Sequence, residues 1–199
     1  KQKTAYEIAS SDWSSDVCSS DLKKRGADMK ELIVITGGAR SGKSTYAEKL
    51  ALAYHAPVYI ATATGEDEEM RRRIQIHQQY RDPKFKSVEC PLHIHRAAQL
   101  EQGDVYLLDC ITLFLTNVML RRESEEPYRW ATQELDRLFM ALEEKSAILV
   151  TNEVGMGIVP DNALSREFRD LQGRVNQYIA QKATQVYAMF CGIPVKIKG

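Results

Sequence analysis

Eight consecutive residues, Gly37, Gly38, Ala39, Arg40, Ser41, Gly42, Lys43 and Ser44, spell G-x-x-x-x-G-K-S. That pattern suits the binding of a polyphosphate together with its Mg²⁺. Successive backbone N–H groups turn into a concavity at a helix N-terminus, the lysine ammonium reaches the β and γ oxygens, and the serine hydroxyl takes a place on the metal. Glycine fits at 37 and 42 because a Cβ there would obstruct the loop or the phosphate. Catalysis also needs a carboxylate that positions Mg²⁺, and Asp109, closing the apolar run Val105 to Leu108, is the candidate. Its competing role is a cap for the helix expected from Thr112. His77 is a third residue capable of chemistry. It falls with Met70 and Ile74 at i, i+4 and i+7 on one helix face, a spacing that fits a packed or surface histidine as readily as a catalyst. His93 and His95, with Cys90 nearby, lack a fourth ligand at metal-binding spacing and read as structural or incidental.

The elements that would position these residues alternate along the chain. Glu31 to Thr36 is a short β-branched run fit for a buried strand, and Ser44 to His55 reads as a helix, so strand, glycine loop and helix come in the order the motif needs. Pro57 to Thr62 is a second strand, followed by a turn over Ala63, Thr64 and Gly65. A helix starts there, with Glu66, Asp67, Glu68 and Glu69 in its first turn and Arg71, Arg72 and Arg73 behind them, mostly a solvated face. Arg81 to Glu89 reads as loop then short strand, His93 to Gln102 as helix and Val105 to Asp109 as strand. Helices follow at about Thr112 to Arg122 and Tyr128 to Lys145, then a strand over Ala147 to Thr151 and a glycine-containing loop over Asn152 to Pro160. A long helix over Asp161 to Lys182 carries Leu164, Phe168, Leu171, Val175 and Ile179 at three-to-four spacing, with Asp161 or Asn162 as cap. Gln185 to Cys191 and Pro194 to Lys198 close the chain as strands. Alternation of this kind indicates an α/β domain with a mainly parallel sheet flanked by helices.

Composition narrows the function classes. Lys plus Arg and Asp plus Glu both number 27 in a chain of 199 residues, so no global field advertises a nucleic acid or an anionic membrane as partner. Cys18, Cys90, Cys110 and Cys191 are scattered without a C-x-x-C pair, which argues against a disulfide framework and for a reducing cytoplasm. The most apolar stretch, Val105 to Leu120, is too short and too polar to span a bilayer. The first 28 residues read differently: six of the eleven from Ser10 to Ser20 are serine, and no helical or strand period is present. Lys1 to Leu22 resembles translated adapter or vector sequence, Met29 stands just before the first strand, and a disordered, non-native tail over 1–28 before a single catalytic domain over 29–199 is the expectation.

Five segments occur in one order: VITGGARSGKS, YIATA, the R-I-x-x-H of Arg73 to His77, LLDCIT of Leu107 to Thr112, and TNEVGMGIVPDN of Thr151 to Asn162. With FRDLQGRVNQ from Phe168 and the terminal GIPVKIKG, they resemble the bifunctional adenosylcobinamide kinase/adenosylcobinamide-phosphate guanylyltransferase family over about Lys30 to Gly199. The resemblance implies a P-loop NTPase-like (RecA-like) fold and two reactions. The first is phosphorylation of the aminopropanol hydroxyl of adenosylcobinamide; the second is transfer of GMP from GTP to the new phosphate. It makes His77 the residue that carries GMP, and it implies ATP and GTP as substrates with Mg²⁺ on Ser44 and Asp109. Nucleotide contacts are implied at Gly37 to Ser44, at Ala61, Thr62 and Ala63, at Gln78, Gln79, Tyr80 and Arg81, at Glu89 and at Asp109. A carboxylate such as Glu89 can accept the N1–H and N2–H donors of guanine. The chain departs from the family pattern where Gln78 replaces a basic residue, where the proline expected after Arg81 is displaced to Pro83, and where Phe85 replaces tryptophan. A homo-oligomer, plausibly a trimer, is also implied, with the helix around Tyr128 to Leu142 expected between subunits. Without the resemblance, the generic features fit equally a small-molecule kinase indifferent to His77 or a nucleotide switch that binds GTP without consuming it.

Overall fold

The computed structural model describes residues 31–65, 68–121 and 125–199. The expected tail, Met29, the acidic residues Glu66 and Asp67 and the end of the Thr112 helix at Arg122 lie outside them. Strands β1 (Leu32–Gly37), β2 (Pro57–Ala61), β3 (Lys86–Glu89), β4 (Val105–Asp109), β5 (Ser146–Val150), β6 (Gln185–Phe190) and β7 (Ile193–Lys198) form one sheet in the order β3-β2-β4-β5-β1-β6-β7. Every pairing is parallel except β6 with β7. Those two meet in a tight hairpin whose corner residues, Cys191 and Gly192, both have positive φ, at 51° and 84°. That sign matches the twist of the flanking strands.

The apolar runs of the central strands follow from burial on both faces. Val34, Val58, Ile60, Tyr106, Leu108 and Leu149 face one side, and Ile33, Ile35, Tyr59, Leu107, Ile148 and Val150 the other. Helix α1 (Lys43–Ala51) covers the second face through Ala47, Leu50 and Ala51. On the first face lie α4 (Ile111–Leu120), α5 (Pro127–Ala141) and α6 (Ala163–Lys182). Each fully buried Leu or Ile contributes roughly 1.5–3 kcal/mol, so these two layers hold the strand ends rigidly where the loops begin.

Two helical segments pack less extensively, the first through Ile94 and Ala97, which are buried in the first-face core. The His93 to Gln102 segment is a 3₁₀ turn (Ile94–Arg96) followed by the single-turn α3 (Ala97–Leu100), not one continuous helix. Helix α2 (Glu68–Tyr80) turns only Met70 and Ile74 inward, half-buried, and its other described side chains are exposed. Asn162 is the cap of α6, its Oδ1 accepting the Ser165 N–H at 2.8 Å. Of the apolar series along α6, Leu164 stands 58% exposed because the first turn overhangs the body, whereas Leu171, Val175 and Ile179 are buried.

Candidate active site

Parallel pairing puts the carboxyl ends of β1, β2, β4 and β5 on one rim, where an open α/β sheet collects its ligands. The glycine loop leaves β1 there and runs into α1. Gly37 has φ 149°, and a Cβ on it would lie 2.7 Å from the Met189 carbonyl oxygen. Gly42 has φ 91°, and its Cβ would lie 3.2 Å from the Gly192 backbone. The loop is therefore closed against the β6–β7 hairpin, and neither position admits a side chain. Arg40 also adopts the left-handed region, at φ 56°. Gly38, Ala39 and Arg40 are exposed at the loop's crest.

Lys43 is buried, and its Nζ donates to the Gly38 carbonyl at 2.5 Å, closing the loop on itself. Burial lowers its pKa, a shift that the nearby Cys110 and Asp109 partly oppose. Ser41 Oγ is buried without a partner among the described residues, a donor held in reserve beneath the crest.

Asp109 ends β4, and β5 lies between β4 and β1. Asp109 therefore stands one strand beyond the neighbour of the loop strand, yet it acts electrostatically on Lys43. Asp109 Oδ2 accepts the Tyr59 hydroxyl at 2.8 Å. Tyr59 in turn lies under the Arg81 guanidinium, 3.5 Å from its ring centre, and against Phe85 edge-on. Burial and then Asp109 push the Tyr59 pKa strongly upward, so it stays a donor. Glu48, a turn below Ser44 on α1, has its pKa raised by burial and next by Asp109. Asp109 and Ser44 supply hard oxygen atoms, and Glu48 places a second carboxyl in the field of Asp109, a donor set that fits Mg²⁺.

Other residues singled out in the sequence fall less centrally. Thr62 is fully buried, and its hydroxyl accepts the Cys110 N–H and donates to the Cys110 carbonyl, locking the end of β2 to the end of β4. Its backbone oxygen is held by Asn117 at 2.8 Å. Ala61 and Ala63 are partly open beside it. Glu89 is exposed at the end of edge strand β3. His77, Gln78, Gln79 and Tyr80 are exposed on α2, and no hydrogen bond or ion pair joins His77 to the loop among the described residues. Arg81 is the member of that run that reaches the site, through Tyr59. His95 bonds the fully buried Glu134, which also pairs with Arg137 at 3.2 Å. His93 lies close by, but Cys90 is not in the group. His95 and Glu134 tie the 3₁₀ turn to α5.

Sequence reasoning missed a second polar chain. Glu153, just past β5, accepts Thr36 Oγ1 at 2.6 Å and Asn176 Nδ2 at 3.1 Å on the same oxygen, and its N–H donates to the Gly37 carbonyl at 3.1 Å. Asn176 is itself set by Thr151 and Gln172. The available signal was the polar run Thr151, Asn152 and Glu153 directly following a strand of the sheet.

Comparison with known proteins decides the family. The model of cobinamide kinase / cobinamide phosphate guanyltransferase matches residues 33–197. The chain belongs to this family. It is 43% identical over 180 residues to the bifunctional adenosylcobalamin biosynthesis protein CobU of Salmonella typhimurium, covering 84% of this chain and 99% of that protein. Its identity to the corresponding CobP of Pseudomonas aeruginosa is 40% over 176 residues, covering 86% and 98%. Among solved structures, an ATPase from the type III secretion system of pathogenic bacteria aligns with TM-score 0.50 at 12% identity, covering 83% of this chain and 56% of that one. That likeness concerns the fold alone, a P-loop NTPase-like sheet. As a cobinamide kinase / cobinamide phosphate guanyltransferase family member, the chain has its phosphate loop, His77, Asp109 and Glu153 all inside the matched span.

Proposed function

We propose that this chain phosphorylates the aminopropanol hydroxyl of adenosylcobinamide and then transfers GMP from GTP to the new phosphate, releasing pyrophosphate. The observation that carries the reading is a family match over residues 33–197, which takes in all but the outermost residues of the sheet and every residue of the site. Lys43 and the loop amides hold the β and γ phosphates, and Ser44 with Asp109 would hold Mg²⁺, which when bound neutralises charge on the transferring oxygens. Tyr59 and Arg81 fix the Asp109 carboxylate in that role. Ala61, the backbone at Thr62, Ala63, Gln78, Gln79, Tyr80 and Glu89 complete the nucleotide contacts. In the second reaction a neutral His77 nitrogen bonds the α-phosphorus of GTP as the bond to pyrophosphate breaks. A phosphate oxygen of the cobinamide phosphate then displaces the histidine. Reacting atoms must come within about 3–3.5 Å, so α2, which holds His77 in solvent, has to approach the bound nucleotide. The reactions are proposed to run in the cytoplasm, in a self-associated protein; no described helix is long and apolar enough to cross a membrane.

The test is incubation with Mg²⁺ and GTP labelled at the α-phosphate, for the native protein and His77→Ala. Acid-labile label on the native protein alone, discharged by adenosylcobinamide phosphate, is expected. An unlabelled native protein that binds GTP and phosphorylates adenosylcobinamide would reduce the reading to a kinase.

A further inference from the structure

The kinase half of the proposed function makes a hydroxyl the nucleophile, and its proton must go to a base as the oxygen bonds phosphorus. The groups at the sheet rim are mostly engaged or poorly suited. Asp109 accepts Tyr59 on one oxygen and has a metal role for the other. The Cys110 thiol is buried and pushed up to about 12, chiefly by burial. Glu48 is held against Asp109 with its ionisation disfavoured by burial. Glu89 ends the outermost strand, and His77 stands on α2.

Glu153 differs from all of these. It follows β5, the strand hydrogen-bonded between the loop strand β1 and the Asp109 strand β4. Its N–H anchors on the first glycine carbonyl of the loop, one residue from the carbonyl that holds Lys43. Two donors, Thr36 on β1 and Asn176 on α6, converge on Oε1. Both come from rigid elements, and Asn176 is oriented in turn by Thr151 and the fully buried Gln172. The Oε2 oxygen has no partner among the described residues. A half-buried carboxylate with one oxygen clamped and the other open, beside the glycine where a γ-phosphate would rest, is arranged to take a proton. The chain directly beyond it, Val154, Met156, Ile158 and Val159, is apolar and exposed, Ile158 to 96%, a floor on which a large apolar substrate can lie with its hydroxyl toward Glu153.

We propose that Glu153 is the general base of phosphoryl transfer: its Oε2 accepts the substrate hydroxyl proton. The hydroxyl oxygen bonds the γ-phosphorus, the bond from γ-phosphorus to the bridging oxygen breaks, and the nucleoside diphosphate leaves with that electron pair. The proton then passes to solvent. This inference rests on the kinase reading above.

The experiment compares native protein, Glu153→Gln and Glu153→Ala in two assays: phosphorylation of adenosylcobinamide with γ-labelled nucleotide, and labelling of His77 from α-labelled GTP. Glutamine keeps the acceptor for Thr36 and Asn176 and removes only the basic oxygen. Its kcat for phosphorylation should fall by at least about 10²-fold with KM for nucleotide and His77 labelling little changed, and formate should partly restore the alanine variant. Undiminished phosphorylation by Glu153→Gln overturns the proposal. So does loss of nucleotide binding in the same variant, which would make Glu153 a strap for the loop. Failure of the native protein to phosphorylate adenosylcobinamide would instead overturn the kinase reading itself.

Discussion

Lys43 is placed where its charge is useful to a nucleotide and unfavourable to the empty protein. Burial holds its pKa below the ordinary lysine range, so the folded state binds that proton less tightly than the unfolded chain does. The resulting penalty is present at neutral pH, shrinks as pH rises through the lowered folded pKa, and is gone above the unfolded value. Lys43→Met should therefore raise the Tm of the nucleotide-free protein at pH 7, with a smaller gain at pH 10. The same change should lower phosphoryl transfer at least about 10²-fold. Differential scanning calorimetry at the two pH values and a kinase assay check both halves; a lower Tm at pH 7 would refute the first. The positions of Lys43, Ser44 and Asp109 were legible in the sequence because they are tied to a motif and a strand end. Tyr59, Glu48 and Glu153 were not, because their roles depend on which neighbour each side chain meets across the sheet, and no local spacing encodes that.

At the scale of elements, periodicity located the strands and long helices to within a few residues, since each is dictated by a face that must be buried. It failed at the His93 to Gln102 segment, whose helical composition is broken by the need of the turn to reach α5. What holds that turn is Glu134, fully buried in α5, with His95 on one oxygen and Arg137 on the other. Glu134→Ala removes the buried member and leaves His95 and Arg137, 23% and 57% exposed, to be solvated, so the cost is that of the lost hydrogen bonds to a carboxylate, about 1.5–3 kcal/mol. Stability in urea should fall by roughly that amount without a change in nucleotide affinity. His93→Ala, removing a ring with no hydrogen bond to Glu134 among the described residues, should cost far less. Equal losses in the two variants would mean that the histidine pair rather than the carboxylate fastens the turn.

For the molecule as a whole, the sheet has two unlike edges. One ends in the short strand β3, largely exposed and charged, and the other in β7. On β7, Ile193, Val195 and Ile197 alternate onto one face at 55%, 43% and 62% exposure, and Phe190 across the hairpin adds 56%. Isolated exposed apolar residues are ordinary, but three on the edge strand β7 with Phe190 opposite them on β6 form a patch of the kind proteins usually cover. The helix first expected between subunits, α5, already packs Ala131, Leu135 and Leu138 inside its own chain and leaves Met140 as its large exposed apolar side chain. We propose the β7 face as a contact for a second copy, and the equal numbers of basic and acidic residues raise no long-range repulsion against it. Light scattering should give a mass that is a multiple of 22.6 kDa for the native protein, and the double change Val195→Lys with Ile197→Lys should return it to the single-chain mass. Those lysines sit on an exposed edge, so near-ultraviolet circular dichroism should be preserved. A native protein that runs as a single chain at micromolar concentration would remove the assembly, and a double variant that stays assembled would move the interface off β7.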